Sequence, residues 1–233
     1  MALFFRPLRR RFRTPSASMS NPRSTAPSPR ARRARSAAPV RKLYGIPAYM
    51  LVVDESGSTA QSLRFASGRT TTRIRAIQMA AHDYLRHLQA SNARQRVGLV
   101  GFSNQAVLHH RLAPVGRTLF GLCRALRRLH PQSATNLSAG LALALTQLQR
   151  ARIRHANIVV ITDGASNMET RRLPELTRQA RMSRVRIFTI GVGNNGDFDY
   201  DRHLLTRLAR ATGGRFMSAH SFQALCNALR KAC

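Results

Sequence analysis

The chain has 233 residues and carries 39 Lys and Arg against 9 Asp and Glu, a formal charge of +30. A length of this order holds one α/β domain with an appendage and can bury a sizeable core. No stretch comes near the roughly 20 apolar residues that span a bilayer, and Cys123, Cys226 and Cys233 lack CxxC or Cys/His spacing, so they read as buried or incidental thiols and not as a disulfide framework.

Lysine occurs only at Lys42 and Lys231, so the positive charge is nearly all arginine. The planar guanidinium fork binds carboxylate and phosphate, which favours an acidic partner, although arginine-biased codon usage would leave the same excess. Residues 1–45 contain no Asp or Glu and hold clusters such as Arg9-Arg10-Arg11 and Arg30-Ala31-Arg32-Arg33 among Ser and Pro. Such a segment cannot bury enough apolar surface to fold alone, and it is expected to be a disordered basic tail ahead of a domain over 46–233. Ala2-Leu3-Phe4-Phe5 is too short for the apolar core of a secretory signal, which points to the cytoplasm. The same composition also suits an organelle transit peptide or a phosphate-binding arm.

The apolar run Tyr49-Met50-Leu51-Val52-Val53 reads as a buried strand of a parallel sheet. It delivers Asp54-Glu55-Ser56-Gly57-Ser58 to its carboxyl end, where open α/β sheets place their ligands. One carboxylate and two hydroxyls on one turn suit a hard cation such as Mg²⁺, Ca²⁺ or Mn²⁺, although Asp and Ser are also ordinary turn and capping residues. A polar loop runs through Thr72, and Ile74, Ile77, Ala81, Tyr84, Leu85 and Leu88 then recur at helical spacing. Arg96 to Phe102 is the next strand, with Ala106 to Leu112 its hairpin partner at the sheet edge. Leu119, Leu122, Cys123, Leu126 and Leu129 mark a short helix that Pro131 closes.

Ser133-Ala134-Thr135-Asn136 precedes a helix with Leu137, Leu141, Leu145 and Leu148 on one face, and capping alone would account for these polar residues. Asn157 to Thr162 repeats the first pattern: a buried strand ending in an acid, Asp163-Gly164. A helix over Leu173 to Met182, a strand over Val185 to Gly191, a helix through Leu204, Leu205 and Leu208 stopped by Gly213-Gly214, a short strand at Arg215 to Met217 and a last helix complete the chain. The alternation predicts a doubly wound, mostly parallel six-stranded sheet flanked by helices.

Asp54-x-Ser56-x-Ser58, Thr135 and Asp163, read as three strand-to-helix junctions in that order, resemble the von Willebrand factor A domain with its metal-ion-dependent adhesion site. Arg96 to Ser103 (RVGLVGFS), Ile187 to Gly193 (IFTIGVG) and Leu204 to Gly214 (LLTRLARATGG) resemble the same family's strand and helix signatures. The resemblance covers about residues 46–233 and implies a Rossmann-like fold. It also implies that Asp54, Ser56, Ser58 and Thr135 are ligands of Mg²⁺, or of Mn²⁺ or Ca²⁺, with Asp163 bound directly or through water. Glu55, at a variable position of the motif, is expected to point away from the ion. Two features depart from the family: the loop from Thr59 to Thr72 is long, and Thr59 replaces a bulky apolar residue. The resemblance further implies work inside a multiprotein assembly, as intracellular members of the family often do, including with AAA+ ATPases.

Three function classes are open. The leading one is a non-enzymatic module that captures an acidic side chain of a protein partner through the ion. The second is nucleic-acid binding, since residues 49–233 alone hold 27 basic against 9 acidic residues; no reader motif or aromatic platform supports it. The third is metal-assisted hydrolysis, for which no general acid or base is evident. His109, His110 and His155 are expected near strand starts or edges, away from the ligand loops, and His82 and His87 on an exposed helix face. Deleting residues 1–45 is expected to leave a domain that unfolds cooperatively in urea; loss of the cooperative transition would show that the tail is structural.

Overall fold

The computed structural model describes residues 48–232 except 66, 154, 165–169 and 194–199. The tail expected over residues 1–45 lies outside the described residues, as does Cys233. Two of the three cysteines, Cys123 and Cys226, are buried free thiols.

The sheet is built from β1 (Ala48–Asp54), β4 (Arg96–Phe102), β5 (Ala106–Pro114), β6 (Ala156–Thr162), β7 (Val185–Val192) and β8 (Phe216–Ala219), in the order β5-β4-β1-β6-β7-β8. Every pairing is parallel except β4–β5, which makes β5 the antiparallel edge strand read from the sequence. Among the described residues the six α-helices are α1 (Arg73–Asn92), α2 (Val115–Arg127), α3 (Leu137–Arg150), α4 (Leu173–Met182), α5 (Arg202–Ala211) and α6 (Phe222–Ala232).

Strand alternation divides the core into two layers. Tyr49, Leu51 and Val53 of β1 pack with Ile77, Leu85, Leu122, Leu126, Leu225 and Leu229 under α1, α2 and α6. Ala48, Met50 and Val52 pack with Leu141, Leu145, Leu176, Leu205 and Leu208 under α3, α4 and α5. Both faces of β1 are therefore covered, which is why its sequence is continuously apolar and not alternating. From β1 the chain goes first to β4 on one side and later to β6 on the other. That reversal opens a crevice beyond the carboxyl ends of β1 and β6.

The long polar loop after Asp54 contains structure that its composition does not announce. A 3₁₀ turn at Gly57–Ala60 leads into a two-stranded antiparallel hairpin, β2 (Ser62–Arg64) with β3 (Thr70–Thr72). Leu63 anchors the hairpin in the core, fully buried in the layer beneath α1. Gly68, at φ +80°, takes its turn. Thr72 then caps α1, its hydroxyl accepting from the Arg75 N–H at 3.3 Å.

Gly213, at φ +78°, ends α5 in the left-handed conformation that closes many helices. Gly214 follows because its backbone lies against β7: a Cβ there would overlap the Ile187 carbonyl oxygen. Backbone held in a sheet cannot give way as a side chain can. Gly214→Ala is expected to cost at least about 2 kcal/mol in urea unfolding, whereas Gly68→Ala, with open space around it, should cost about 1 kcal/mol.

Candidate functional site

Register brings the site together. Val53 of β1 pairs with Ile161 of β6, so the next residues along the two strands, Asp54 and Thr162, stand side by side on the α3 face. The Thr162 hydroxyl donates to Asp54 Oδ2 at 2.5 Å, and the Ser56 N–H donates to Asp54 Oδ1 at 2.8 Å. Asp163 follows directly after β6, and the Ser58 hydroxyl donates to its Oδ1 at 2.8 Å. Both carboxylates are 0% exposed.

Hydroxyl groups gather beside them. Ser56 Oγ and Ser58 Oγ are 3.0 Å apart. A methyl group built on Gly164 would stand 3.3 Å from Ser58 Oγ, 3.5 Å from Thr135 Oγ1 and 3.9 Å from Ser56 Oγ. Gly164 thus keeps a cradle open onto which three hydroxyl oxygens converge. The structure brings together all five residues singled out from the sequence: Asp54, Ser56, Ser58, Thr135 and Asp163.

Thr135 reaches this point by a route that differs from expectation. Its loop joins helix to helix, α2 to α3, and is not a strand-to-helix junction; the nine residues between Arg127 and Leu137 contain no strand. The loop is instead bonded to the other loops of the crevice. The Gln132 N–H donates to the Glu55 carbonyl, the Gly57 N–H to the Ser133 carbonyl at 3.3 Å, and the Asn136 N–H to the Ser103 carbonyl at 2.7 Å. Asn136, and not Thr135, caps α3: its side chain accepts from the Ala139 N–H at 3.0 Å. Thr135 is thereby released from the capping role that would have accounted for it.

Glu55 turns away from the cradle. Its buried carboxylate meets His109 Nε2 at 3.0 Å and accepts from the His130 N–H at 3.2 Å. This corrects the expectation that His109 lies away from the ligand loops. In the β4–β5 register Leu99 faces His110 while Val100 faces Leu108, so His109 is the extra, bulged residue. A bulge re-aims a side chain, and Gly101 leaves the space that Glu55 and His109 fill. His87 and His155 are exposed as expected, and His82 and His110 are half-buried.

Two further residues at the site were not singled out. Arg73, the first residue of α1, is 1% exposed and places Nη1 3.2 Å from Asp163 Oδ2. Asp201, the cap of α5, lines a small cleft with Thr135, Thr162, Gly164 and Leu204.

Burial raises the Asp54 carboxyl from its ordinary 3.8 to about 6; the Thr162 hydroxyl opposes the shift and the neighbouring charge of Asp163 adds to it. Burial also raises Asp163, against the Ser58 hydroxyl and the Arg73 guanidinium. Among the described residues no cluster of three or more His, Cys, Asp or Glu could hold a metal, so any ion here would rest on two carboxylates and several hydroxyls. That all-oxygen set fits a hard cation and would disfavour a thiophilic one.

A family model for the von Willebrand factor type A domain matches residues 49–165, half of the chain. The chain belongs to that family. Its von Willebrand factor A domain resembles the solved von Willebrand factor type A protein from Catenulispora acidiphila, with TM-score 0.67 and 19% identity over 80% of this chain and 41% of that one. It also resembles the conserved hypothetical protein BatB from Bacteroides thetaiotaomicron, with TM-score 0.61 and 16% identity over 80% of this chain and 98% of that one. At these identities the likeness shows the fold. An uncharacterized protein of Borreliella burgdorferi is 24% identical over 165 residues, which is 60% of this chain and 48% of that protein. The chain thus spans about half the length of that relative, and less than half of the Catenulispora chain. Family membership makes the domain a protein-interaction module. No helix among the described residues is long and apolar enough to cross a membrane.

The raised Asp54 value has a consequence for the metal-free protein. Between about pH 3.8 and 6 the fold keeps the Asp54 proton while the unfolded chain has lost it, so stability falls as pH rises through that window. The full cost, up to about 3 kcal/mol, persists above it. In EDTA, Asp54→Asn is therefore expected to match the wild type near pH 4 in urea unfolding and to exceed it increasingly up to pH 7. A difference that does not change with pH would contradict this origin.

Proposed function

We propose that this von Willebrand factor A domain captures an acidic side chain of a partner protein through a divalent cation, Mg²⁺ or in its place Mn²⁺ or Ca²⁺, and that it is not an enzyme. The observation that carries the reading is the cradle at Gly164, where the hydroxyls of Ser56, Ser58 and Thr135 converge beside two buried carboxylates. Asp54, Ser56, Ser58, Thr135 and Asp163 would hold the ion, which supplies an oxygen-seeking positive charge for an incoming carboxylate.

The protein's own groups prepare that contact. Thr162 and the Ser56 N–H fix the Asp54 carboxylate by one bond to each oxygen, so its orientation is set before any ion arrives. Ser58 donates its proton to Asp163, so the Ser56 hydroxyl is the donor in the Ser56–Ser58 contact and one lone pair of Ser58 Oγ remains available. Neutral hydroxyls make up most of the donor set, so a bound divalent ion is not overwhelmed by negative charge. The arginine-rich surface steers an acidic partner toward the crevice. Membership of a multiprotein assembly, as with an AAA+ ATPase, fits such a module, and the cytoplasm is the compartment proposed.

Three variants test the reading. Asp54→Ala is expected to weaken Mn²⁺ binding in calorimetric titration by more than about 100-fold, since even the outer partners of metal ligands are worth about 10- to 100-fold. Thr135→Ala, which removes a neutral donor, should cost about 10-fold. Gly164→Ala removes no donor but fills the cradle, and it should abolish Mn²⁺ binding with the circular dichroism spectrum unchanged. Pull-downs with the same proteins should lose their partner in EDTA and in each variant. Partner binding that survives EDTA and declines only with salt would assign the interaction to the arginine surface instead.

A further inference from the structure

Helix α5 buries Leu205, Leu208 and Ala209 against the core and turns an arginine-lined groove outward. Arg202, Arg207 and Arg210 of the helix and Arg215 just beyond it line this groove, and all four are exposed. Among the described residues none of the four pairs with a carboxylate. The one acid among the described lining residues is Asp201, whose side chain accepts from the Leu204 N–H at 2.8 Å at the start of the helix. Asp197 and Asp199 precede α5 in the sequence and lie outside the described residues, whereas Arg207, Arg210 and Arg215 fall in its last two turns and beyond. The cations without an acid beside them are thus gathered toward the end of the helix.

The groove is continuous with the crevice. Asp201 and Leu204 line both the groove and the cleft that contains Thr135 and Gly164. The ten residues of α5 rise about 15 Å, a length that about five residues of extended chain cover. We propose that this face of α5 is a second contact for the partner and fits an extended acidic segment. While one carboxylate occupies the cleft, further Asp or Glu residues of the same segment meet Arg207, Arg210 and Arg215. The carboxylate in the cleft rests on the metal-holding reading above; the contact along α5 stands without it. A guanidinium binds phosphate as well as carboxylate, but the surroundings favour a protein segment. Single-stranded nucleic acid needs rings on which its bases stack. The aromatic residue among the described lining residues, Phe216, already has the Arg202 guanidinium 5.8 Å and the Tyr200 ring 6.0 Å from its centroid.

The test follows the fluorescence anisotropy of labelled hexa-aspartate added to the full chain at low ionic strength, in Mn²⁺ and in EDTA. A variant with Arg207→Gln, Arg210→Gln and Arg215→Gln is compared with one carrying Arg117→Gln, Arg124→Gln and Arg128→Gln. The second set is exposed and lies on or just after α2, over the opposite layer of the core. Both variants lose the same charge and keep residues 1–45, so general attraction and the basic N-terminal segment weigh equally on each. In Mn²⁺ the α5 variant should bind about 10-fold more weakly than the wild type, and the α2 variant within about 2-fold of it. The α5 loss should persist in EDTA, which itself weakens the wild type. Equal binding by the two variants overturns the contact along α5, and a continued effect of EDTA would then leave the metal-holding reading in place. A loss confined to the α5 variant with no effect of EDTA overturns the metal-holding reading and supports the α5 contact alone. A labelled single-stranded oligonucleotide of matched charge that binds the wild type more tightly than hexa-aspartate, with the same loss in the α5 variant, overturns the acidic protein segment as the occupant.

Discussion

Two carboxylates, both wholly buried, stand at the ends of neighbouring parallel strands, and like charges in such a place repel with little water to screen them. The parallel register of β1 on β6 brings them close, because β1 ends in Asp54 beside Thr162 and Asp163 follows Thr162 directly. Much of the surrounding structure answers that repulsion. Thr162, Ser56 and Ser58 each give a proton or an N–H to a carboxylate oxygen, and Arg73 gives a full positive charge. Asp54 nevertheless stays raised to about 6, so the hydrogen bonds do not fully offset the burial. Under the proposed function, that cost is what a bound cation would offset.

The crevice is held by loops bonded to one another, and not by the sheet alone. Glu55 links the first loop to the second through its carbonyl and its carboxylate, and Ser103 links the second to the end of β4. The small hairpin after the first loop, pinned by Leu63, leads directly into α1 and so fixes where Arg73 enters the core. The loop that is long by the family resemblance is the segment that delivers Arg73. The family relation and the added charge are thus physically connected through one stretch of chain.

The strands were legible because burial on both faces writes itself as continuous apolar sequence, as in Met50 to Val53 and Ile158 to Ile161. The helices were legible from spacing, and α4 begins and ends at Leu173 and Met182 as expected. The gathering of Asp54, Ser56, Ser58, Thr135 and Asp163 followed from strand ends and from the family resemblance. Three features were not legible. Arg73 is one arginine in a chain full of them, and rules for helix N-termini look for acids there, not cations. His109 reaches Glu55 through a bulge, which depends on pairing between strands and leaves no local signature. The hairpin from Ser62 to Thr72 has too few apolar residues to show a pattern; among its described residues only Leu63 is buried in the core.

The most direct test of the site is anomalous diffraction at the manganese edge from a crystal grown with Mn²⁺. A single peak is expected in the cradle at Gly164, within about 2.0–2.6 Å of oxygens from the Ser56, Ser58 and Thr135 side chains. It should vanish in Asp54→Ala. A crevice without a peak at saturating Mn²⁺, or a peak held by other residues, would contradict the assignment of the cation to these five side chains.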